Sequence, residues 1–376
     1  MKLLIISDQY LPLIRSGSLL IHDLIREFLL RGHEITLITS AKNTNNETKI
    51  KNLKIIRLFS FSHKRNNYII KGINQILLTI GLVIKILFFK SKFDKIFIYS
   101  PPLLFGLIGI FFPKQKKIVS VQDFFPENAI NLGILKNILL INIYKFIEKN
   151  VYKINDNILV NSINGKKYLK KNFPEIKNKV IFNYNWAFQL KKKVSRQKRR
   201  GKFKFIFGGS VGPSQEIQKI YKIFKKLENI CSLDIFTDQS SIIKLKKEIN
   251  FLKIKNIKVK KTITNLKFIE RIKYYNSALI TLSNNNRTPF IPGKFNFYCA
   301  NGINVTAIVH KECDLNDIIK KNNLGFVTHS SKEEELLKFL KNVIKSKKHQ
   351  KLNINCLKFA KKNFNIQKIC SKIERI

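Results

Sequence analysis

Acidic residues are scarce in this chain: 24 Asp and Glu stand against 71 Lys and Arg in 376 residues, a formal charge of +47. Such a field draws anionic partners, whether nucleic acid, an anionic membrane or phosphorylated substrates. An excess of Lys, Asn, Ile and Phe also follows from an AT-rich genome, but that bias does not account for the shortage of acids. Cysteine is sparse as well. Cys231, Cys299, Cys313, Cys356 and Cys370 show no Cys-x-x-Cys spacing, which argues against a disulfide framework or a zinc site and for reduced thiols in a cytosolic protein. The Walker pattern, an Asp-x-Asp pair, His-Glu-x-x-His and Gly-x-Ser-x-Gly are all missing, so metal-dependent chemistry is not indicated.

Long apolar runs are missing too. Residues 73–89, broken by Lys85, and residues 101–112, punctuated by Pro101, Pro102, Gly106 and Gly109, each fall short of the ~20 apolar residues that cross a bilayer. Residues 73–89, flanked by Lys71, Lys90 and Lys92, read either as an interfacial helix or as a buried helix covering a sheet. The first apolar run, residues 3–6, is too short for the core of a secretory signal and runs into Asp8.

What is present is a repeated grammar of strand and helix. In the first half, residues 3–6, 34–39, 54–58, 95–99, 117–121 and 158–161 are short β-rich runs, with helical patterns such as 19–31 and 137–149 between them. In the second half, residues 203–207, 233–237, 257–260, 278–282, 305–309 and 325–327 continue the pattern. Strand alternating with helix implies mostly parallel sheets, and the chain length implies two domains. The fold class is therefore α/β, with two Rossmann-like, doubly wound domains facing a ligand cleft. The basic block 191–202 reads as the linker between domain 1–190 and domain 203–355, with a last helical segment, 356–376, returning toward the first domain.

Chemistry-bearing residues cluster at the ends of strands. Gly208-Gly-Ser-Val-Gly212 follows a convincing strand and precedes a helical pattern from residue 214; glycines there admit positive φ and close approach of a phosphate. A plain tight turn is the competing reading. Pro292-Gly-Lys294 is helix-start grammar that puts a cation in the first turn, where the helix dipole disfavours it unless an anion sits beside it. Lys294 is thus the foremost phosphate-binding candidate. In Val121-Gln-Asp-Phe-Phe-Pro-Glu127, Asp123 or Glu127 can orient a hydroxyl nucleophile, and either can instead cap the helix around Ala129. Trp186, the only tryptophan, lines the cleft or packs the hinge. His22 and His33 read as structural.

Taken in order, these segments resemble the two-domain GT-B glycosyltransferases of the family-4 type, particularly the WbuB-like enzymes of bacterial surface-polysaccharide synthesis. Tyr10-Leu-Pro, His22-Asp-Leu, Arg31-Gly-His-Glu, Ser100-Pro-Pro-Leu, Gln122-Asp-Phe-Phe-Pro-Glu, Asn185-Trp-Ala, Gly208-Gly-Ser-Val-Gly and Pro292-Gly-Lys, then Tyr298-Cys-Ala-Asn-Gly302, follow the family's order. The resemblance implies a nucleotide-diphospho-sugar, UDP-linked, as co-substrate, with no further cofactor. Gly208, Gly209, Gly212, Lys294 and Tyr298 would bind the donor; Gly17, Ser18 and Asp123 the acceptor; Asp123, Glu127 and Lys294 would carry the catalysis.

It further implies retention of anomeric configuration without a metal, a lipid-linked or oligosaccharide acceptor, and a cytoplasmic enzyme peripheral to the membrane. The chain departs from the family at Pro289 and Phe297, where many members carry paired glutamates, at Ser16-Gly17-Ser18 in place of a glycine pair, and at Asp238-Gln239 in place of glycines. These departures keep open a catalytically idle glycan-binding or scaffolding relative. A nucleic-acid partner rests on charge alone, without a recognition module.

Overall fold

The structure, a computed structural model, describes residues 1–12, 16–40, 50–60, 68–89, 92–187 and 201–376; most of the expected linker, 191–200, lies outside them. The chain forms two compact units. One comprises Met1–Trp186, Thr288–Phe290 and Asn365–Ile376, the other Ala187–Arg287 and Ile291–Phe364.

In the first unit the order is β1 (Lys2–Ser7), α1 (Ser16–Leu30), β2 (Glu34–Thr39), β3 (Leu53–Arg57), α2 (Tyr68–Leu87), β4 (Lys95–Ser100), a 3-10 segment (Leu103–Phe111), β5 (Lys116–Val121), α3 (Glu127–Asn131), α4 (Ile138–Ile154), β6 (Asn157–Val160), α5 (Ile163–Asn172) and β7 (Val180–Phe182). All seven strands are parallel, in the order β3-β2-β1-β4-β5-β6-β7. The central strands are buried on both faces, which is why Leu3–Ile6 and Ile96–Ile98 read as unbroken apolar runs rather than alternations. The chain reverses its sheet direction between β1 and β4, and the loops at their C-terminal ends form that sheet's switch point.

The second unit runs β8 (Phe203–Gly208), α6 (Tyr221–Lys226), β9 (Cys231–Thr237), α7 (Gln239–Phe251), β10 (Ile257–Lys261), α8 (Asn265–Ile272), β11 (Ser277–Thr281), α9 (Gly293–Ala300), β12 (Val305–Ile308), α10 (Leu315–Asn322), β13 (Gly325–Thr328), α11 (Glu333–Lys345) and α12 (His349–Asn363). Its six parallel strands are ordered β10-β9-β8-β11-β12-β13, with the switch between β8 and β11. Alternation along β8 puts Phe203, Phe205 and Phe207 into one core cluster with Ile220 and Phe224.

The last helix, α13 (Ile366–Arg375), belongs to the first unit. Asn365 caps it, accepting hydrogen bonds from the Gln367 and Lys368 amides. Ile369, Cys370 and Ile373 join the cluster built on α1, including Ile21, Leu24 and Phe28. Polar ties hold the other side of the helix. The Glu374 carboxylate accepts from Arg31 Nη1 at 2.8 Å and faces His33 Nε2 at 2.8 Å, while Lys95 Nζ donates to the Ile373 and Glu374 carbonyls at 3.1 and 2.6 Å. His33 thus has a structural partner. Residues 356–363 finish α12 and Phe364 caps it, all in the second unit, so the returning segment starts at Asn365 rather than 356.

Candidate functional site

In the second unit, three segments meet at the switch point. β8 ends at Gly208, and Gly209 follows at φ +112°, a conformation that a side chain resists. The Gly209 amide donates to the Phe236 carbonyl at 2.9 Å, fixing the turn against β9. Beside it, α9 starts at Gly293 after an extended Pro292, which gives its first turn no side-chain cap.

Lys294 extends from that turn over the end of β8. Its Nζ lies 3.8 Å from the centroid of the Phe207 ring, and its Cε is 3.8 Å from the place a Cβ on Gly209 would occupy. That Nζ is buried and has no hydrogen-bond partner. Desolvation pulls its pKa down to about 7. The ring face offsets a small part of the desolvation, but a cation–π contact is worth only ~0.5–2 kcal/mol, far less than a buried ammonium loses on leaving water. An anion arriving at Gly209 would supply the missing counter-charge.

Tyr298 lies one turn further along α9, with its ring buried and its hydroxyl accepting from the Gly208 amide at 2.7 Å. It ties α9 to β8 rather than presenting a surface to ligand. Gly212 sits in the following turn, where its amide donates to Gln215 Oε1 at 3.0 Å and its carbonyl accepts from Gln215 at 3.0 Å. The structure therefore brings Gly208, Gly209, Lys294 and Tyr298 together and leaves Gly212 engaged in its own turn. The helix expected from residue 214 begins later, with a 3-10 turn at Ile217–Ile220 before α6. Asp238 caps α7 by accepting from the Ser241 amide.

The same strand edge carries two basic groups that sequence reading passed over. Lys219 donates to the Leu282 carbonyl just beyond β11, and burial pulls its pKa to about 8. His310, two residues beyond β12, is buried; its Nδ1 faces Glu312 Oε2 at 3.3 Å and its Nε2 has no partner. Burial, more than any neighbour, holds its pKa down. A lone lysine in so lysine-rich a chain gives no signal, and His310 lies in no motif.

In the first unit the corresponding edge is built from hydroxyls, amides and a carboxyl. Gly17 opens α1 against β1 and β4: a Cβ there would come within 2.5 Å of Gln9 Oε1 and 3.1 Å of Tyr99 Cε1. Ser18 is buried, and its hydroxyl has no partner. Asp123, two residues past β5, accepts no hydrogen bond from a described side chain, and burial pushes its carboxyl above the usual carboxylate range. The negative charge of Asp123, together with that of Asp8, also raises the Tyr99 hydroxyl, after burial itself. Gly17 thus packs against Tyr99, on which the Asp123 carboxyl acts electrostatically.

Glu127 keeps different company. It opens α3 without capping it, and its charge acts on buried Glu148 and on Tyr168. A chain of amides borders Asp123 instead: Gln122 Oε1 accepts from Asn161 Nδ2 at 3.4 Å and from Asn185 Nδ2 at 2.5 Å. Trp186 is buried and donates its Nε1–H to the Leu20 carbonyl at 3.0 Å, so it packs within the first unit. Among the described residues, no three His, Cys, Asp or Glu side chains converge as metal ligands would.

No family model matches the chain, and no curated protein matches it in sequence. Solved structures do match in shape. Sucrose-phosphate synthase from Thermosynechococcus elongatus is 10% identical with a TM-score of 0.79, over 100% of this chain and 97% of that one. WaaG, a glycosyltransferase involved in lipopolysaccharide biosynthesis, is 11% identical with a TM-score of 0.73, over 99% of both chains. Anabaena HepE, solved in complex with UDP-glucose, is 12% identical with a TM-score of 0.71, over 100% of this chain and 98% of that one. At such identities the likeness speaks for architecture alone. Two parallel sheets, each wrapped by helices and shared end to end with these enzymes, give the chain the GT-B fold.

Proposed function

We propose that this protein is a glycosyltransferase of the family-4, WbuB-like type. It moves a sugar from a UDP-linked donor to a lipid-linked or oligosaccharide acceptor in bacterial surface-polysaccharide synthesis, at the inner face of the cytoplasmic membrane. The observation that carries this reading is Lys294: a buried, unpaired ammonium at the start of α9, beside a glycine turn that leaves room for a ligand. A diphosphate there would restore the lysine's charge and take up the α9 first-turn amides. Lys294 would then stabilise the departing UDP, a task that needs a fixed cation but no metal. Gly208, Gly209 and Gly212 would shape the turn around the donor, with Tyr298 holding α9 in place.

On the acceptor side, Gly17 and Ser18 would border the incoming sugar, and Asp123 would orient its hydroxyl. Glu127 would act more remotely, through its electrostatic link to Glu148. Support for a nucleotide-sugar donor comes from HepE, which binds UDP-glucose in the same fold, and for a surface-glycan role from WaaG. Calorimetry with UDP-glucose and UDP tests the donor site directly. At pH 8 the free lysine is mostly neutral and the bound one charged, so binding should take up close to one proton, read from the dependence of the heat on the buffer. No uptake, or an uptake unchanged in Lys294→Met, would remove Lys294 from the site.

A further inference from the structure

The first unit carries an apolar surface that its own core does not use. α2, the 3-10 segment and α4 lie on one face of the seven-stranded sheet, where Leu78, Leu82, Ile86, Phe105, Ile108, Val151 and Tyr152 enter a single core cluster. The segment is tied to α4 by Asn155 Nδ2, which donates to the Gly106 carbonyl at 3.0 Å. With their inner sides committed to the sheet, the outer sides of these three neighbours turn the same way.

Those outer sides are exposed and apolar. On α2 and just beyond it stand Ile73, Ile76, Leu77, Ile80, Ile84, Leu87 and Phe88, the last 80% exposed. The spacing through Ile84 is that of one helical stripe. The 3-10 segment adds Ile110, 65% exposed, and Phe111; α4 adds Ile138, Leu139, Leu140, Ile143 and Phe146, the last 69% exposed. Scattered exposed apolar residues need no explanation, but a contiguous set of this size marks an interaction surface.

Charge decides what covers it. Lys85, Lys92, Lys114, Lys116, Lys136, Lys145 and Lys149 are exposed on or between these elements against one exposed acid, Asp94; α2 itself has no acid, and the one acid of α4, Glu148, is buried. A second copy would bring like charges together. An anionic bilayer would accept the apolar stripe and neutralise the lysines at once. No helix among the described residues is long and apolar enough to cross a membrane, so the contact is one of lying on it.

We propose that the joint outer face of α2, the 3-10 segment and α4 is an interfacial membrane-docking surface selective for anionic lipid. The residues 73–89 anticipated from sequence supply only one of its three strips. That docking serves delivery of a lipid-linked acceptor rests on the glycosyl-transfer reading; the docking itself does not.

The test is co-sedimentation with vesicles of phosphatidylcholine alone and of equimolar phosphatidylcholine and phosphatidylglycerol. The full chain should bind the mixed vesicles and retain part of that binding at high salt, because apolar insertion is not screened. Ile80→Glu with Ile143→Glu should lower the partition at least about tenfold, and Lys85→Gln with Lys145→Gln should weaken it mainly at low salt. Unchanged binding in the Ile-to-Glu pair would overturn the proposal. So would a wild-type dimer that this pair converts to monomer in sedimentation velocity, since the face would then cover a second copy. Ile80→Ser with Ile143→Ser provides a milder pair if folding suffers. The proton-linked binding of UDP-glucose, measured in the same variants, should persist; its absence from the wild-type protein would sink the transferase reading and leave the docking surface standing.

Discussion

The two units repeat one architecture and differ in the chemistry of the same edge. At the C-terminal ends of the first sheet stand Asp8, Ser18, Tyr99, Gln122, Asp123, Asn161 and Asn185: neutral hydrogen-bonding groups and two carboxyls, of which Asp123 resists ionisation. At the second stand Lys294, Lys219 and His310, bases that resist protonation. Burial acts on both sets, and its sign follows the group: it favours the neutral form of an acid and of a base alike. An edge of hydroxyls and amides suits the recognition of sugar hydroxyls. An edge of undercharged bases suits a ligand that brings its own negative charge. One scaffold thus presents two different chemistries at equivalent edges through what its strand ends carry.

That contrast can be broken most sharply at Lys294. Replacing it with Met should reduce transfer about 10²–10³-fold, with the loss seen in donor affinity as well as turnover; normal kinetics would dissolve the cationic half of the contrast. Asp123→Asn should leave UDP affinity intact and reduce transfer about 10- to 100-fold. If UDP affinity falls instead, the carboxyl is not specific to the acceptor. The Lys294 pKa near 7 adds a stability test. The unfolded lysine holds its proton up to ~10.4, so between about pH 7 and pH 10 the unfolded chain binds more protons, and stability should rise with pH across that window. Chemical denaturation at pH 7 and pH 9 should show the rise in the wild type and a flatter profile in Lys294→Met.

The smallest effect concerns the frame of the first unit. Glu374→Ala removes the partner of Arg31 and His33 in a half-buried setting and should cost about 1–3 kcal/mol in that unit. The carboxyl sits below its ordinary range in the folded state. Its contribution is therefore complete above the unfolded value of ~4.3 and fades as the pH falls through the folded one. A loss that stays constant down to pH 3 would point to packing instead.

Much of the fold was legible because parallel strands buried on both faces are short, uninterrupted apolar runs between polar loops. β7 was missed, since Val180–Phe182 is too short to show a pattern. The apolar stretch after β4, punctuated by Pro and Gly, shows in sequence only that it is too short to cross a bilayer; it is a 3-10 segment wedged beside α4, a packing that periodicity does not encode. At the strand edges, Lys294 could be found because Pro-Gly-Lys places it in a helix's first turn. Lys219 and His310 could not, because their distinction is burial, which arises only when the loops after β8, β11 and β12 come together. Likewise, the exposure of Ile143 and Phe146 is invisible in a sequence where α4 shows the same apolar residues as any core helix.

The first unit is not finished when its sheet is. The polypeptide leaves it after Trp186, builds the whole of the second unit with one brief return at Thr288–Phe290, and comes back at Asn365 to place α13 on α1. During synthesis the α1 surface must therefore wait, uncovered, until the inserted unit has been made. A ribosome-bound chain halted before residue 365 should show a protease-sensitive first unit beside a resistant second one, so the order of maturation runs opposite to the order of translation.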